Sequence, residues 1–277
     1  MDLGVATSQG RAGLAAILTE PSFALLAFDY DGTLAPIVPD PSRAVPHPNV
    51  IAALHDLSGC VGRLAVVTGR PAQVAVQLAR LDRAPGLEGL VVVGHYGLER
   101  WDAATGDLST VEPPAGLATV RAELPALLES LGLSRASVED KGLSVAVHVR
   151  GLPDPDGAFD LLQRPLLELA ARCGLASEPG KRVIELRPPG MHKGRALRKL
   201  VEEFGARAVA FFGDDLGDLA AFDEVDRLRA AGVPGLLVCS GSAEESALVE
   251  RADLVVDGPA GVVAFLFDLG ERLRHRG

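Results

Sequence analysis

The chain has 277 residues, 48% of them apolar and 23% charged, with 27 Lys and Arg against 37 Asp and Glu and a formal net charge of -10. Such a composition buries enough surface to offset the entropy of ordering the chain, which excludes extensive disorder, and the length suits one large domain or two modest ones. The acidic balance lacks the dense basic face of a nucleic-acid or anionic-membrane binder, so neither partner is expected. Cys60, Cys173 and Cys239 form no C-x-x-C pair and suit neither a disulfide framework nor a thiolate zinc site. Met1-Asp2-Leu3-Gly4 opens without a basic, apolar leader, and no apolar run approaches the roughly 20 residues of a membrane span. A reducing, cytoplasmic setting is therefore expected.

In chain order, six short apolar runs read as strands buried on both faces: residues 23–28, 64–67, 90–93, 208–212, 235–239 and 253–256. Helical patterns over 71–81, 194–204 and 218–230 alternate with them, which is the βαβ rhythm of an α/β protein with an open parallel sheet. Between the third run and the helix at 194 lie about a hundred residues, several times the length of one connection. They carry a helical pattern at 117–131, strand-like alternation at 138–149, a second helix at 158–173 and a hairpin at 175–186 turned by Pro179-Gly180. The chain is thus expected to form a core from residues 1–111 and 183–277, with a small α+β insertion at 112–182.

The sharpest chemical signal follows the first strand, Phe28-Asp29-Tyr30-Asp31-Gly32-Thr33-Leu34. Residues two apart at a strand end project to the same side, so Asp29 and Asp31 share a site. Two carboxylates held together call for a cation or a proton, and that asymmetry fits one nucleophile and one acid/base. Gly32 frees the turn from side-chain strain, and Thr33 offers a hydroxyl and an N–H to an anion. The bland alternative is a plain Asp-Gly turn. Three further sequences follow or precede buried elements: Thr68-Gly69-Arg70-Pro71, Met191-His192-Lys193-Gly194 and Gly213-Asp214-Asp215-Leu216-Gly217-Asp218. Taken singly, these are an N-cap, a solvated lysine and an acidic N-cap cluster. Taken together, they supply a hydroxyl, a point charge and the hard oxygen donors that suit Mg2+.

All four sequences fall at the carboxyl edge of one sheet, where such folds bind ligands. In the order Asp-x-Asp, Thr, Lys, Asp-Asp they resemble the haloacid dehalogenase superfamily over residues 23–110 and 185–262. The resemblance implies a Rossmann-like core with an inserted cap. It further implies Asp29 as nucleophile, Asp31 as acid and base, and Thr68 and Lys193 on the phosphoryl oxygens. Mg2+ would be held by Asp29, Asp214 and the backbone carbonyl of Asp31, with Asp215 and Asp218 orienting that shell.

The stretches Gly94-His95-Tyr96-Gly97-Leu98-Glu99, Val138 to Arg150 and Lys181 to Pro188 look like trehalose-6-phosphate phosphatases and extend the resemblance to nearly the full chain. This implies a cap that closes over the core and grips a disaccharide through Glu139, Lys141, Arg150 and Glu185, with Thr33, Arg70 and His95 as further substrate-binding positions. The partner it implies is a small phosphorylated sugar, together with a functional link to a trehalose-phosphate synthase. One departure is visible: Gly217 and Leu219 stand where the family commonly has Thr and Glu in Gly-Asp-Asp-x-Thr-Asp-Glu.

Glu139 and Lys141 share the parity of Leu143, Val145, Val147 and Val149, so a turn or bulge must intervene before the apolar face begins. A cross-strand ion pair on a solvated face is the bland account of the charged residues. With one Trp and two Tyr in the chain, sugar recognition is expected to rest on charged and polar groups. Two rival functions are a phosphatase for another sugar phosphate and a non-catalytic regulator of a synthase; clustered, mutually repelling carboxylates favour catalysis.

Overall fold

In a computed structural model, which describes residues 3–241 and 246–275, the chain divides into two compact units, Met1–Ser109 with His192–Gly277 and Thr110–Met191. The large unit begins with α1 (Ser8–Thr19), β1 (Ala24–Phe28), α2 (Val50–Ser58), β2 (Arg63–Val67), α3 (Ala72–Ala79), β3 (Leu90–Gly94), β4 (Glu99–Asp102) and β5 (Leu108–Thr110). The small unit follows with α4 (Gly116–Ser130), β6 (Ser137–Asp140), β7 (Val145–His148), α5 (Pro155–Arg172), β8 (Ala176–Gly180) and β9 (Val183–Arg187). The large unit resumes through α6 (Lys193–Phe204), β10 (Ala208–Gly213), α7 (Leu219–Ala230), β11 (Gly235–Gly241), α8 (Ser246–Arg251), β12 (Leu254–Asp257) and α9 (Gly258–Arg274).

The large sheet has the order β12-β11-β10-β1-β2-β3-β4-β5 and is parallel from β12 to β3. Alternation along β1 feeds two cores. Leu26 and Phe28 pack with Ile17 of α1, Leu54 and Leu57 of α2, and Leu266 of α9, whereas Leu25 and Ala27 pack with Leu197 of α6 and Phe222 and Val225 of α7. Helices thus cover both faces, which is why the inner strands are near-continuous aliphatic runs. The run at 253–256 departs from the expectation of burial on both faces: β12 lies at the sheet edge and exposes Val255. At the other edge β4 joins antiparallel to β3, with Trp101 opposite Val92.

The small unit packs one face of the antiparallel sheet β6-β7-β9-β8 on α4 and α5. Val145, Val147, Ile184 and Leu186 meet Leu117 and Leu124 of α4 and Leu162 and Leu166 of α5. β9 is an inner strand of this sheet, so the small unit runs to Met191 and not only to residue 182. The β8–β9 turn falls at Lys181-Arg182, after Pro179-Gly180, with Arg182 at φ 59°. Pro179 stays inside β8, an edge strand where a residue without an N–H is tolerated. The turn required by parity lies between β6 and β7, closed by the Lys141 N–H donating to the Ser144 carbonyl at 3.0 Å, with Gly142 at φ 85°.

Candidate active site

β1 lies between β10 and β2, with Phe28 in register with Phe212 and Val66, so the segments after these strands emerge side by side. Asp29, buried at 4% exposure, continues the ladder by donating its N–H to the Phe212 carbonyl at 2.8 Å. Tyr30 turns into the core and donates its hydroxyl to the Ala44 carbonyl. Gly32 reverses the chain at φ 75°, and a Cβ there would stand 1.9 Å from Asp214 Oδ2, so both conformation and space require glycine. Thr33 is fully buried, and its Oγ1 has no hydrogen-bond partner among the described residues.

After β10, Asp214 and Asp218 are buried and Asp215 is exposed. Asp218 Oδ2 accepts the N–H groups of Asp214 and Asp215, at 2.9 and 3.3 Å, which folds the loop back on itself. Asp215 caps the following turn by accepting the Gly217 N–H. Lys193 opens α6 from a buried position and bridges two of the strand ends, with Nζ 2.6 Å from Asp29 Oδ1 and 2.7 Å from Asp218 Oδ1.

Burial holds the Asp29 carboxyl well above the usual carboxylate range; Lys193 opposes this, and Asp218, Asp214 and Asp215 reinforce it. Asp214 is pushed up to about 8, chiefly by burial and then by Asp218 and Asp215. Asp218 is raised by burial in the same way. Burial acts to lower the Lys193 ammonium, but Asp218 and Asp29 outweigh it and hold the group charged. One lysine therefore leaves the cluster short of positive charge. Oxygens of Asp29, Asp214 and Asp218 all lie within 4.8 Å of one another, and Asp214 Oδ1 is buried with no hydrogen-bond partner among the described residues. Hard oxygen donors with an unmet demand for charge fit Mg2+. Asp218 has both oxygens engaged already, Oδ1 by Lys193 and Oδ2 by the Asp214 and Asp215 N–H groups.

The β2 end forms a second wall. The Thr68 N–H donates to the Val93 carbonyl, and its buried Oγ1 accepts the Arg70 N–H at 3.1 Å. The Arg70 side chain reaches Asp31, placing Asp31 with Arg70 and outside the three-carboxylate cluster. His95 is buried at φ 47°, donates its N–H to the Arg70 carbonyl, and sits 3.9 Å from Glu99. The other Glu99 oxygen accepts the Ala72 N–H at the start of α3.

In the small unit, Glu139, Ala146, Glu185 and Glu178 stand at one register position across all four strands, on the sheet face opposite α4 and α5. Glu185 accepts the Ser144 hydroxyl at 2.5 Å, with the Lys141 ammonium 3.5 Å away. His148 Nε2 lies 2.9 Å from Glu139 Oε2. The structure thus brings Glu139, Lys141 and Glu185 to one face. Arg150 lies beyond β7, exposed, with no ion pair or hydrogen bond among the described residues. His148 belongs to the His148-x-Arg150 pattern of the sequence, whereas Ser144 and Ser240 stand outside the patterns read there. Ser144 carries a signal in its parity with Ala146; Ser240, which donates to the Gly32 carbonyl 208 positions away, carries none.

The largely parallel sheet, with a second unit inserted after β5 and buried carboxylates gathered around a lysine at its strand ends, has the haloacid dehalogenase-like fold: a haloacid dehalogenase-like hydrolase from Bacteroides thetaiotaomicron superposes with a TM-score of 0.61 at 15% identity, covering 89% of this chain and 99% of that one. The sequence model of the trehalose-phosphatase family matches residues 27–253, and the chain belongs to that family. It is 32% identical over 217 residues to the trehalose-6-phosphate phosphatase of Escherichia coli, covering 74% of this chain and 75% of that protein. Among solved structures, the C-terminal domain of the C. albicans trehalose-6-phosphate phosphatase superposes with a TM-score of 0.73 at 22% identity, covering 96% of this chain and 97% of that one. The C-terminal domain of the Candida albicans trehalose synthase regulatory protein gives a TM-score of 0.69 at 13% identity, over 95% and 98%. These two likenesses concern the fold.

Proposed function

We propose that the chain hydrolyses trehalose 6-phosphate to trehalose and phosphate in two steps through an aspartyl-phosphate on Asp29, with Mg2+ as cofactor. The observation that carries this reading is the buried Asp29, held by Lys193 beside Asp214 and Asp218 at the carboxyl edge of the sheet.

In the first step an Asp29 carboxylate oxygen attacks phosphorus, the bond from phosphorus to the sugar oxygen breaks, and Asp31 gives that oxygen a proton. In the second, Asp31 takes a proton from water, the water oxygen attacks phosphorus, and the Asp29–phosphorus bond breaks, restoring both carboxyl groups. Arg70 fixes the Asp31 carboxyl group, protonated for the first transfer and ionised for the second. Thr68 and Lys193 take the remaining phosphoryl oxygens as charge develops. Mg2+ would be held by Asp29, Asp214 and the Asp31 carbonyl, with Asp215 and Asp218 orienting the site, and when bound it neutralises charge between nucleophile and phosphoryl group. Glu139, Lys141, Arg150 and Glu185 supply the acceptors and donors for the sugar hydroxyls, with Thr33 and His95 supporting the core side of substrate binding.

The reaction belongs in the cytoplasm, in keeping with free thiols at Cys60, Cys173 and Cys239. Among the described residues, no helix is long and apolar enough to cross a membrane. A synthase that makes the phosphorylated disaccharide is the natural functional companion. The deciding experiment is phosphate release from trehalose 6-phosphate against glucose 6-phosphate and sucrose 6-phosphate, with and without Mg2+. Selective, Mg2+-dependent release from the first is expected; equal release from all three overturns the substrate assignment.

A further inference from the structure

The segment that carries Asp29 and Asp31 is crowded at Gly32 by the residue after one strand and hydrogen-bonded there by a residue of another. Asp214, after β10, stands so near that a Cβ at Gly32 would lie 1.9 Å from its Oδ2. Ser240, near the end of β11, donates its hydroxyl to the Gly32 carbonyl at 2.6 Å. Ser240 is 0% exposed and Gly32 is buried, so water does not compete for this bond. A residue needed only for packing here would be apolar, as Leu236, Leu237 and Val238 are in the same strand. A hydroxyl is instead spent on a carbonyl one peptide beyond that of Asp31.

We propose that Ser240 is a positioning residue of the phosphoryl-transfer site, locking the Gly32 peptide so that the Asp31 carbonyl and the Asp29 carboxylate stay aligned with Asp214. The Gly32 N–H is held by the Ala35 carbonyl at 2.7 Å, so Ser240 fixes the other side of Gly32, the peptide that carries its carbonyl; without this bond that peptide is free to turn, and the donor set loosens. The inference rests on the reading of Asp29, Asp214 and the Asp31 carbonyl as Mg2+ donors.

The test compares the full chain with S240A and S240T, using circular dichroism, the rise of Tm with added Mg2+ over an EDTA baseline, and phosphate release. S240A is expected to fold, to need about 10-fold more Mg2+ for half of the Tm rise, and to lose kcat by a similar factor. S240T retains a hydroxyl and is expected to recover both. If S240A lowers Tm equally with and without Mg2+ while the Mg2+ midpoint and kcat stay at wild-type values, Ser240 is merely structural and the inference is overturned. If the wild-type chain itself shows no Mg2+ response, the metal reading falls and the inference with it. S240C, which keeps the volume with a weaker donor, serves in place of S240A should the alanine variant not fold.

Discussion

Arg70 grips Asp31 with two parallel hydrogen bonds, Nε to Oδ2 at 2.6 Å and Nη2 to Oδ1 at 2.7 Å, while its Nη1 donates to the Pro41 carbonyl at 3.0 Å. The guanidinium is thereby fixed at both ends and holds the carboxylate in one plane. Lysine keeps the charge but cannot reproduce the fork. R70K is therefore expected to lower kcat for trehalose 6-phosphate by about 100-fold, the scale of a misplaced reacting group, and R70A by at least as much. Steady-state phosphate release checks this, and wild-type kinetics in R70K would remove Arg70 from the alignment of Asp31.

The nucleophile assignment makes a harsher demand. Asp29 contacts Lys193, and its amide continues the β1–β10 ladder, so D29N preserves shape and backbone bonding while removing the attacking oxygen's charge. Near-total loss of turnover with an unchanged circular dichroism spectrum is expected. Substantial residual phosphate release from D29N would falsify the aspartyl-phosphate step.

Much of this arrangement was legible in the residues themselves. The aliphatic runs at β1, β2, β3, β10 and β11 are buried from both sides by helices, and such strands announce themselves without alternation. Asp29, Thr68, Lys193 and Asp214 were legible because each directly follows a buried strand or opens a helix. The polar β4, Glu-Arg-Trp-Asp, was not, because its place is set by pairing with β3 and by Trp101 covering one core. The reach of Arg70 to Asp31, across 39 positions, and of Ser240 to Gly32, across 208, are products of strand order, which no local pattern encodes. The bound of the small unit at 182 cuts through the hairpin expected at 175–186; the pairing of β9 with β7 as well as β8 is what carries the unit past it.

The raised carboxyls make stability depend on pH and metal together. A carboxyl whose folded pKa exceeds its unfolded value keeps its proton longer in the native state, so stability is full at acid pH and falls as pH rises toward the folded pKa. For Asp214 that window runs from near the ordinary value of 3.8 to about 8, and Asp29 and Asp218 shift in the same direction. In EDTA, Tm is thus expected to decline between about pH 5 and about pH 8. Mg2+ should flatten the decline, with the largest Tm gain at the alkaline end, where protons no longer compete for the oxygens. Thermal melts across that range decide the matter; a Tm gain independent of pH would count against these carboxylates as the donors.

Recognition of the sugar gives a prediction that separates the two units. Glu139 and Glu185 occupy the same register position on the strands flanking β7, opposite the short side chain of Ala146. Glu185 is the more constrained of the two, bonded by Ser144 and faced by Lys141, whereas Glu139 is half-exposed beside His148. A hydrogen bond between a sugar hydroxyl and a charged group, whether a carboxylate that accepts or a guanidinium that donates, is worth about 1.5–3 kcal/mol, so losing one costs roughly 10- to 100-fold in kcat/KM. E139Q, E185Q and R150A are each expected to fall by that factor on trehalose 6-phosphate and by far less on p-nitrophenyl phosphate, which has no sugar hydroxyls. E185Q should be the most damaging of the three, because it also weakens the hold on Lys141. The ratio of kcat/KM for the two substrates, measured for each variant, is the readout, and equal losses on both would show that these residues of the small unit do not read the sugar.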